Sequence, residues 1–365
     1  MNKGILDGIR VLDFTWVLAG PYATRILADF GAEVIKVQSK TTAGSAESNL
    51  SGYFNTWNRN KRSITLDMSH PEAREMASKL AAISDVVIEN FSPRVMANWG
   101  LNYEKLKDVK ADLIMVSLSA MGQSGPWRDF VAFGPTIQAI SGLTYLTSFT
   151  EDSPMGPGYS YADPIAGLYT TLAVLAALEN RDRTGQGEYI DISEHEALCT
   201  LLGPALLDVS FNDRALLPQG NRSDHLPAAP YGCFRCLGTD RWCVIAVFSE
   251  EEWQALCNAM GKHDLICEEK FSTLSKRKAN REELDKLIGT WTASHQAERL
   301  VGLLQEKGVP SGVVQNAEDL AKDPHLAARK FFVQLEHPVL GSTTSDTSPI
   351  KFKGETQFKW KAAPL

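Results

Sequence analysis

Short apolar runs and amphipathic stretches alternate along the first two hundred residues of this chain, and few folds accommodate that pattern. Ile9–Phe14 is apolar enough for a buried strand, Thr15–Pro21 reads as a loop, and Tyr22–Phe30 reads as a helix stopped by Gly31. Glu33–Val37 is a second strand, completing a βαβ unit whose parallel strands demand helices on both sheet faces. The pattern recurs. Strands are expected at Asp85–Glu89, Leu113–Ser117 and Glu188–Ile192. Helices are expected at Pro71–Ala82 with Ser69 as N-cap, at Thr136–Leu146 as a buried segment, at Ile165–Arg181 and at Glu194–Leu207. Such alternation specifies a doubly wound α/β domain. After Asp208 the character changes. Asn212–Pro230 is polar and rich in Pro, Gly and Asn, Trp242–Phe248 reads as a strand, and Glu250–Met260, Arg281–Ala293 and Gln296–Lys307 read as amphipathic helices of a smaller α+β domain.

Composition narrows the function classes. The 365 residues carry 37 basic and 44 acidic side chains, a net charge of −7, and 44% are hydrophobic, so a disordered chain is excluded. The acidic balance argues against nucleic acid as a partner. No run approaches the ~20 apolar residues of a membrane span, and Met1–Asp7 leads into no apolar signal core, so a cytoplasmic protein is expected. The six cysteines are then expected to be reduced thiols.

Several motifs fail. The first strand-to-helix turn holds only Gly20 where a dinucleotide fold wants three glycines, and the chain has neither a P-loop nor a G-x-S-x-G. Cys233-Phe234-Arg235-Cys236 lacks a second ligand pair, with Cys243 and His225 available only by accident of fold, and His195-Glu196 is followed by Cys199 where a zincin needs His. No metal is expected.

Two segments keep chemistry open. Arg59-Asn60-Lys61-Arg62 is either a solvated surface run or a phosphate clamp. Asp163 precedes the strongest helix among small residues (Gly156, Gly158, Ala162, Ala166, Gly167). Asp at N-cap with Pro164 at N1 is how helices start. A carboxylate there, expected to stay ionised, can equally attack an activated carbonyl.

The residues Leu6-Asp7-Gly8-Ile9-Arg10-Val11-Leu12-Asp13-Phe14, Ala19-Gly20-Pro21, Gly31-Ala32-Glu33-Val34-Ile35-Lys36-Val37, Asn60-Lys61-Arg62-Ser63-Ile64, Glu89-Asn90-Phe91, Gly122-Gln123-Ser124-Gly125-Pro126, Ala162-Asp163, Thr184-Gly185-Gln186-Gly187 and Gly308-Val309-Pro310 run in order along most of the chain. With them the sequence resembles the class III CoA-transferases of the formyl-CoA and carnitine type, relatives of the α-methylacyl-CoA racemases. The resemblance implies a Rossmann-like large domain at 1–207 plus 330–365, a small α+β domain at 208–329, and an interlocked homodimer. A heteromer with a paralogous subunit, as in (aryl)succinate CoA-transferases, is the other assembly it implies. It further implies transfer of CoA from an acyl-CoA to a carboxylic acid through an aspartyl-CoA thioester on Asp163. CoA would be a substrate, with no prosthetic group. Contacts to CoA carry over to Val17, Leu18 and Ala19, to Ser39 and Lys40, to Arg62 and Leu66, and to Asn90 and Phe91, with Arg94 replacing the arginine that family members carry beside the glycine matching Gly100. Pro218-Gln219-Gly220-Asn221-Arg222 stands nearest to the family's glycine-rich lid. Racemases carry a His-Asp pair where this chain has Gly134 and Pro135, neither of which moves protons. A racemase or a non-catalytic CoA-binding subunit are the alternatives. Phe130, Phe133, Tyr145, Tyr159 and Tyr161 either line an acyl pocket or pack in the core.

Overall fold

Six parallel strands form the central sheet of the computed structural model, which describes residues 4–39, 48–223, 226–353 and 358–364. They are β1 (Arg10–Asp13), β2 (Glu33–Gln38), β3 (Arg62–Thr65), β4 (Val86–Glu89), β5 (Ile114–Ser119) and β6 (Glu188–Ser193), in the order β3-β2-β1-β4-β5-β6. The side-chain period of two sends successive residues to opposite faces. Val11, Val86, Ile88, Ile114 and Val116 build one apolar layer with Leu27 and Val174 of the covering helices. Leu12, Val87 and Met115 build the other with Met96, Leu101 and Leu106. Both faces are covered, as an all-parallel sheet requires.

By contacts the chain divides into two compact units. The first comprises the described residues up to Thr147, Pro154–Leu216, and those of Pro324–Leu365. Its final segment is a hairpin, Phe332–His337 paired antiparallel with Gly341–Asp346. The hairpin is held by a buried charge cluster. Arg59 forks onto Asp29 (Nη2–Oδ2 2.6 Å, Nε–Oδ1 3.1 Å) and reaches Asp346 (Nη1–Oδ1 2.7 Å).

The second unit comprises Ser148–Ser153 and the described residues of Leu217–Asp323. Its antiparallel sheet joins Tyr231–Arg235, Trp242–Ala246 and Ser311–Val313. Helices Glu250–Met260, Arg281–Thr292 and Ala297–Glu306 bury Trp253, Leu256, Leu284, Ile288, Leu300 and Leu304 against Ile245 and Phe271. Ser249 and Glu252 form a reciprocal capping box at the first of these helices.

The structure corrects local expectations. The basic run 59–62 is neither solvated nor a phosphate clamp at Arg59 and Lys61, because both are buried in ion pairs, Arg59 with Asp29 and Asp346, Lys61 with Asp13 (3.0 Å). His70, not Ser69, is the N-cap of Pro71–Ala82, since Asp67 Oδ1 takes the Ser69 N–H and hydroxyl. The 136–146 helix breaks into Gly134–Ile140 and Leu143–Leu146 at Gly142 (φ +91°), and within it only Ile137 and Gln138 are buried. The 194–207 helix breaks at Gly203-Pro204, where a short 3₁₀ turn separates Glu194–Cys199 from Gly203–Asn212. The Gly52–Asn58 helix and the strands β3, Tyr231–Arg235 and Ser311–Val313 had no clear period in the sequence.

Candidate active site

The helix that carries Asp163 runs from Ala162 to Thr184, three residues longer at its start than its sequence period suggests. Tyr161 takes the N-cap place, so Asp163 sits at N2 and Pro164 at N3 rather than at N-cap and N1. Proline is tolerated at N3 because the first-turn N–H groups have no intrahelical partner to lose. The shift changes what the Asp163 side chain does. It does not cap the helix from outside but stands within its first turn, where Ser160 Oγ donates to Oδ2 and the N–H groups of Asp163 itself and Ala19 favour the charged form.

Two close approaches set this geometry. Gly167 lies one turn along, where a Cβ would meet Ala19 O at 2.8 Å and Tyr22 Cδ1 at 2.9 Å. The absence of a side chain there lets helices Ala19–Asp29 and Ala162–Thr184 come together and brings the Ala19 N–H to Asp163. On the other side, a Cβ on Gly134 would overlap Ser160 Oγ and Asp163 Oδ2. Backbone alone therefore walls that side of the carboxylate. Gln138, buried on the Gly134–Ile140 helix, accepts the Tyr161 N–H through Oε1 at 2.6 Å and fixes the turn before Asp163.

Burial pushes the Asp163 carboxyl above its ordinary range, and the hydrogen bonds only partly offset this. Among the described residues, no cation is among the groups that act on it. A second carboxyl, Glu194, begins the Glu194–Cys199 helix and is itself buried, pushed up to about 8 by loss of water and by the Asp163 charge. Sequence reading passed over Glu194, because an acid at a helix start after Ser193 is ordinary and the neighbouring His195-Glu196 drew the metal question. Five aromatic residues flanking the site, Phe130, Phe133, Tyr145, Tyr159 and Tyr161, are all exposed, which removes the core-packing reading for each.

In the strand order of this sheet the chain reverses direction of travel between β1 and β4, and ligands of open α/β sheets sit outside the carboxyl ends at such a point. Most of the sequence-derived CoA candidates lie along that edge. Val17 (φ +64°), Leu18 and Ala19 follow β1, and Asn90 and Phe91 follow β4. The Asn90 side chain joins the two segments, with Oδ1 accepting from Trp16 N–H (2.9 Å) and Nδ2 donating to Trp16 O (3.0 Å). The Phe91 N–H donates to Glu89, and its ring meets Trp99 edge-on. Ser39 follows β2 and Leu66 follows β3. Arg94 is exposed and bonded to Asp129 at 2.7 Å. Arg62 does not join them. It opens β3 at the amino edge of the sheet, where it pairs with Glu33 at 2.8 Å. Lys40 lies outside the described residues, as does His225.

Below the loop after β1 lies a buried polar cluster. Asp13 Oδ1 accepts from Thr15 N–H and Oγ1, and Oδ2 accepts from Thr24 Oγ1 and Lys61 Nζ, while Lys36 Nζ donates to Thr15 O. Asp13 is held below its ordinary range despite complete burial, by Lys61, Lys36 and the two hydroxyls, and burial draws Lys61 down to about 7. The six cysteines form no disulfide, and burial pushes the thiols of Cys233 and Cys243 up, the chemistry of packed thiols rather than of nucleophiles. Among the described residues no group of three or more metal-ligating side chains is assembled, and no helix is long and apolar enough to cross a membrane.

The model of CoA-transferase family III matches residues 6–365. The chain belongs to that family. It is therefore a CoA-transferase, an enzyme whose substrates are CoA thioesters. A succinyl-CoA–D-citramalate CoA-transferase of Chloroflexus aurantiacus is 34% identical over 92% of this chain and 85% of its own length. A succinyl-CoA:mesaconate CoA-transferase of Haloarcula hispanica is 34% identical over 99% and 93%. A CaiB/BaiF family protein from Brucella suis has the same fold, with a TM-score of 0.91 and 30% identity over 100% of this chain and 96% of that one.

Proposed function

We propose that this CoA-transferase moves CoA from a dicarboxylic acyl-CoA such as succinyl-CoA to a second dicarboxylic acid, with Asp163 as the nucleophile. The carrying observation is the Asp163 carboxylate, half-buried, raised in basicity, with no cation acting on it among the described residues, and bounded on one side by the bare backbone of Gly134. Partial loss of water and the absence of a counter-ion leave the oxygen lone pairs available for attack. Relatives named for succinyl-CoA with citramalate, mesaconate and glutarate support the substrate class.

Asp163 adds to the thioester carbonyl, and the tetrahedral oxyanion collapses with release of CoA thiolate, leaving a mixed anhydride. The thiolate then attacks the Asp163 acyl carbon and expels the donor acid as its carboxylate. The resulting aspartyl-CoA thioester passes through the same two steps in reverse with the acceptor. One thioester is exchanged for another, so the protein needs only to position groups and exclude water. Val17, Leu18, Ala19, Asn90 and Phe91 are proposed to hold CoA along the carboxyl edge of the sheet, with Ser39, Leu66 and Arg94 nearby. Gly134 and Pro135 offer nothing that could shuttle an α-proton, which disfavours the racemase reading.

An assembly of two copies is the second part of the proposal. Leu168, Leu172, Leu206, Leu207, Val209 and Phe211 are all exposed on two helices of the first unit, more apolar surface than a monomer normally leaves in water. A similar alpha subunit of a succinyl-CoA–L-malate CoA-transferase of Chloroflexus aurantiacus, 32% identical over 92% of this chain, supports a heteromer as the competing assembly. The test of the chemistry is mass spectrometry after mixing with succinyl-CoA. A CoA adduct on the Asp163 peptide, absent in Asp163→Ala, is expected; an adduct elsewhere, or none with tight CoA binding, overturns the nucleophile assignment.

A further inference from the structure

Two carboxyls stand at the starts of two neighbouring helices. The Ala162–Thr184 helix packs beside the Glu194–Cys199 helix and the turn that continues it, and the two run in a common register. Tyr169 and Thr200 join through their hydroxyls at 3.1 Å. Three residues earlier on each side, Ala166 and Ala197 share one apolar cluster with Ala19 and Leu118. Three residues earlier again stand Asp163 and Glu194. Three residues are nearly one helical turn, so the three pairs line facing sides of the two helices. Glu194 is only 8% exposed, and its carboxyl forms no hydrogen bond or ion pair among the described residues. Its oxygens are nevertheless not sealed from solvent. Of the other elements packed against its helix, Gly134–Ile140 and the Thr200–Leu202 turn carry no ionisable group, and the end of β6 brings Asp191, which accepts the Gln123 N–H. His195, Glu196 and Cys199 share its own helix, but only burial and the Asp163 charge shift Glu194. Burying an acid without a partner costs stability that an apolar residue would not, and the cost is smallest while the acid keeps its proton. A neutral carboxyl of this kind has a free O–H to offer an anion that forms beside it.

We propose that Glu194 takes part in the transfer as an uncharged acid, its O–H donating to the oxyanion that forms on the Asp163 side chain when CoA thiolate attacks the Asp163 acyl carbon. The attack makes the carbon–sulfur bond and moves the carbonyl electron pair onto the Asp163 oxygen. Collapse returns that pair and breaks the bond to the donor acid, which leaves as its carboxylate. Glu194 keeps its proton throughout. Ser160 Oγ and the N–H groups of Asp163 and Ala19 are the donors already aimed at the same side chain. An ionised Glu194 would withdraw its donor and repel the incoming thiolate. This role rests on the aspartyl chemistry proposed above.

The experiment measures, by quenched-flow mass spectrometry of the full-length protein, the rate at which succinyl-CoA places the CoA adduct on Asp163, as a function of succinyl-CoA concentration and pH. In the wild type the maximal rate is expected to fall as pH rises through about 8, where Glu194 loses its proton. Glu194→Met keeps the length and removes the donor. It is expected to lower the maximal rate at neutral pH by about a hundredfold with the half-saturating concentration changed by less than about threefold. Glu194→Gln keeps an N–H donor that cannot ionise. It is expected to restore the rate to within about fivefold of the wild type and to abolish the alkaline fall. Neither variant breaks a paired group, so both are expected to fold. Wild-type labelling by Glu194→Met overturns the proposal. So does a Glu194→Gln variant no faster than Glu194→Met, or one that keeps the alkaline fall. An adduct that forms equally in all three proteins removes the role of Glu194 and leaves the nucleophile assignment standing, whereas no adduct in the wild type overturns that assignment and this role with it.

Discussion

Asp13, fully buried, and Asp163, half-buried, are both desolvated aspartates of the first unit, and their carboxyls are shifted in opposite directions. Asp13 ends β1 beneath the loop that follows it and is fully buried, yet Lys61, Lys36, Thr15 and Thr24 hold it in its charged form. Asp163 starts a helix, has one hydroxyl and backbone N–H groups, has no cation acting on it among the described residues, and is pushed up. Burial alone therefore does not mark a reactive carboxylate. A carboxylate saturated by cations and hydroxyls is structural, because its lone pairs are committed. A carboxylate desolvated without a cation retains the basicity that attack on a carbonyl needs.

Substitution separates the two roles. Asp163→Ala is expected to lower CoA transfer by at least about a thousandfold while leaving the thermal midpoint unchanged or higher, since it removes a desolvated charge. A variant that loses folding and activity together would place Asp163 with Asp13. Lys61→Met is expected to do the reverse, because it strands the Asp13 charge; breaking such a pair costs about 3–5 kcal/mol, read by denaturant unfolding. Residual folded enzyme should keep its labelling chemistry.

The next test uses pH. The folded pKa of Glu194 is about 8 against an ordinary 4.5, so the folded state binds the proton more tightly than the unfolded chain does. Its contribution is present in full below about pH 4.5 and is lost as pH rises through about 8. Glu194→Gln is expected to flatten that decline, by no more than about 5 kcal/mol between those limits. Unfolding curves at several pH values check it, and an unchanged slope would mean that Glu194 finds compensation in the native state.

The smallest expected effect is at Ser160. Removing its hydrogen bond in Ser160→Ala strips one group that favours the Asp163 anion, so the acid limb of the pH–rate profile should move upward. Activity requires the ionised form and falls as pH drops through this pKa. A limb that stays in place would show that the Ala19 N–H, not Ser160, sets the Asp163 charge.

Much of this was legible in order along the chain. The apolar runs of β1, β4 and β5 and the Pro71–Ala82 and Glu250–Met260 helices follow from local pattern, proline and capping signals. Of the small residues around Asp163, Gly167 realises a close approach; Gly134, the other, stood in the sequence only as the place of a missing His-Asp pair. Arg59 and Lys61 were not legible, because a basic run looks the same whether its partners are water or distant acids. Their partners stand at Asp29, Asp346 and Asp13, up to 287 residues away. Glu194 escaped for the related reason that its neighbour Asp163 belongs to another helix.

By itself the sequence determined the doubly wound class, the order of most elements and the one aspartate that deserved suspicion, because periodicity, proline and glycine act through near neighbours. The tertiary structure decided which charges are committed and which are exposed to chemistry. It placed Asp163 at N2 rather than at the cap, set Glu194 within reach of its charge, turned two basic residues inward to acids and left Arg62 on the far edge of the sheet. Those outcomes depend on desolvation and on partners far away in the chain, and neither is carried by local sequence.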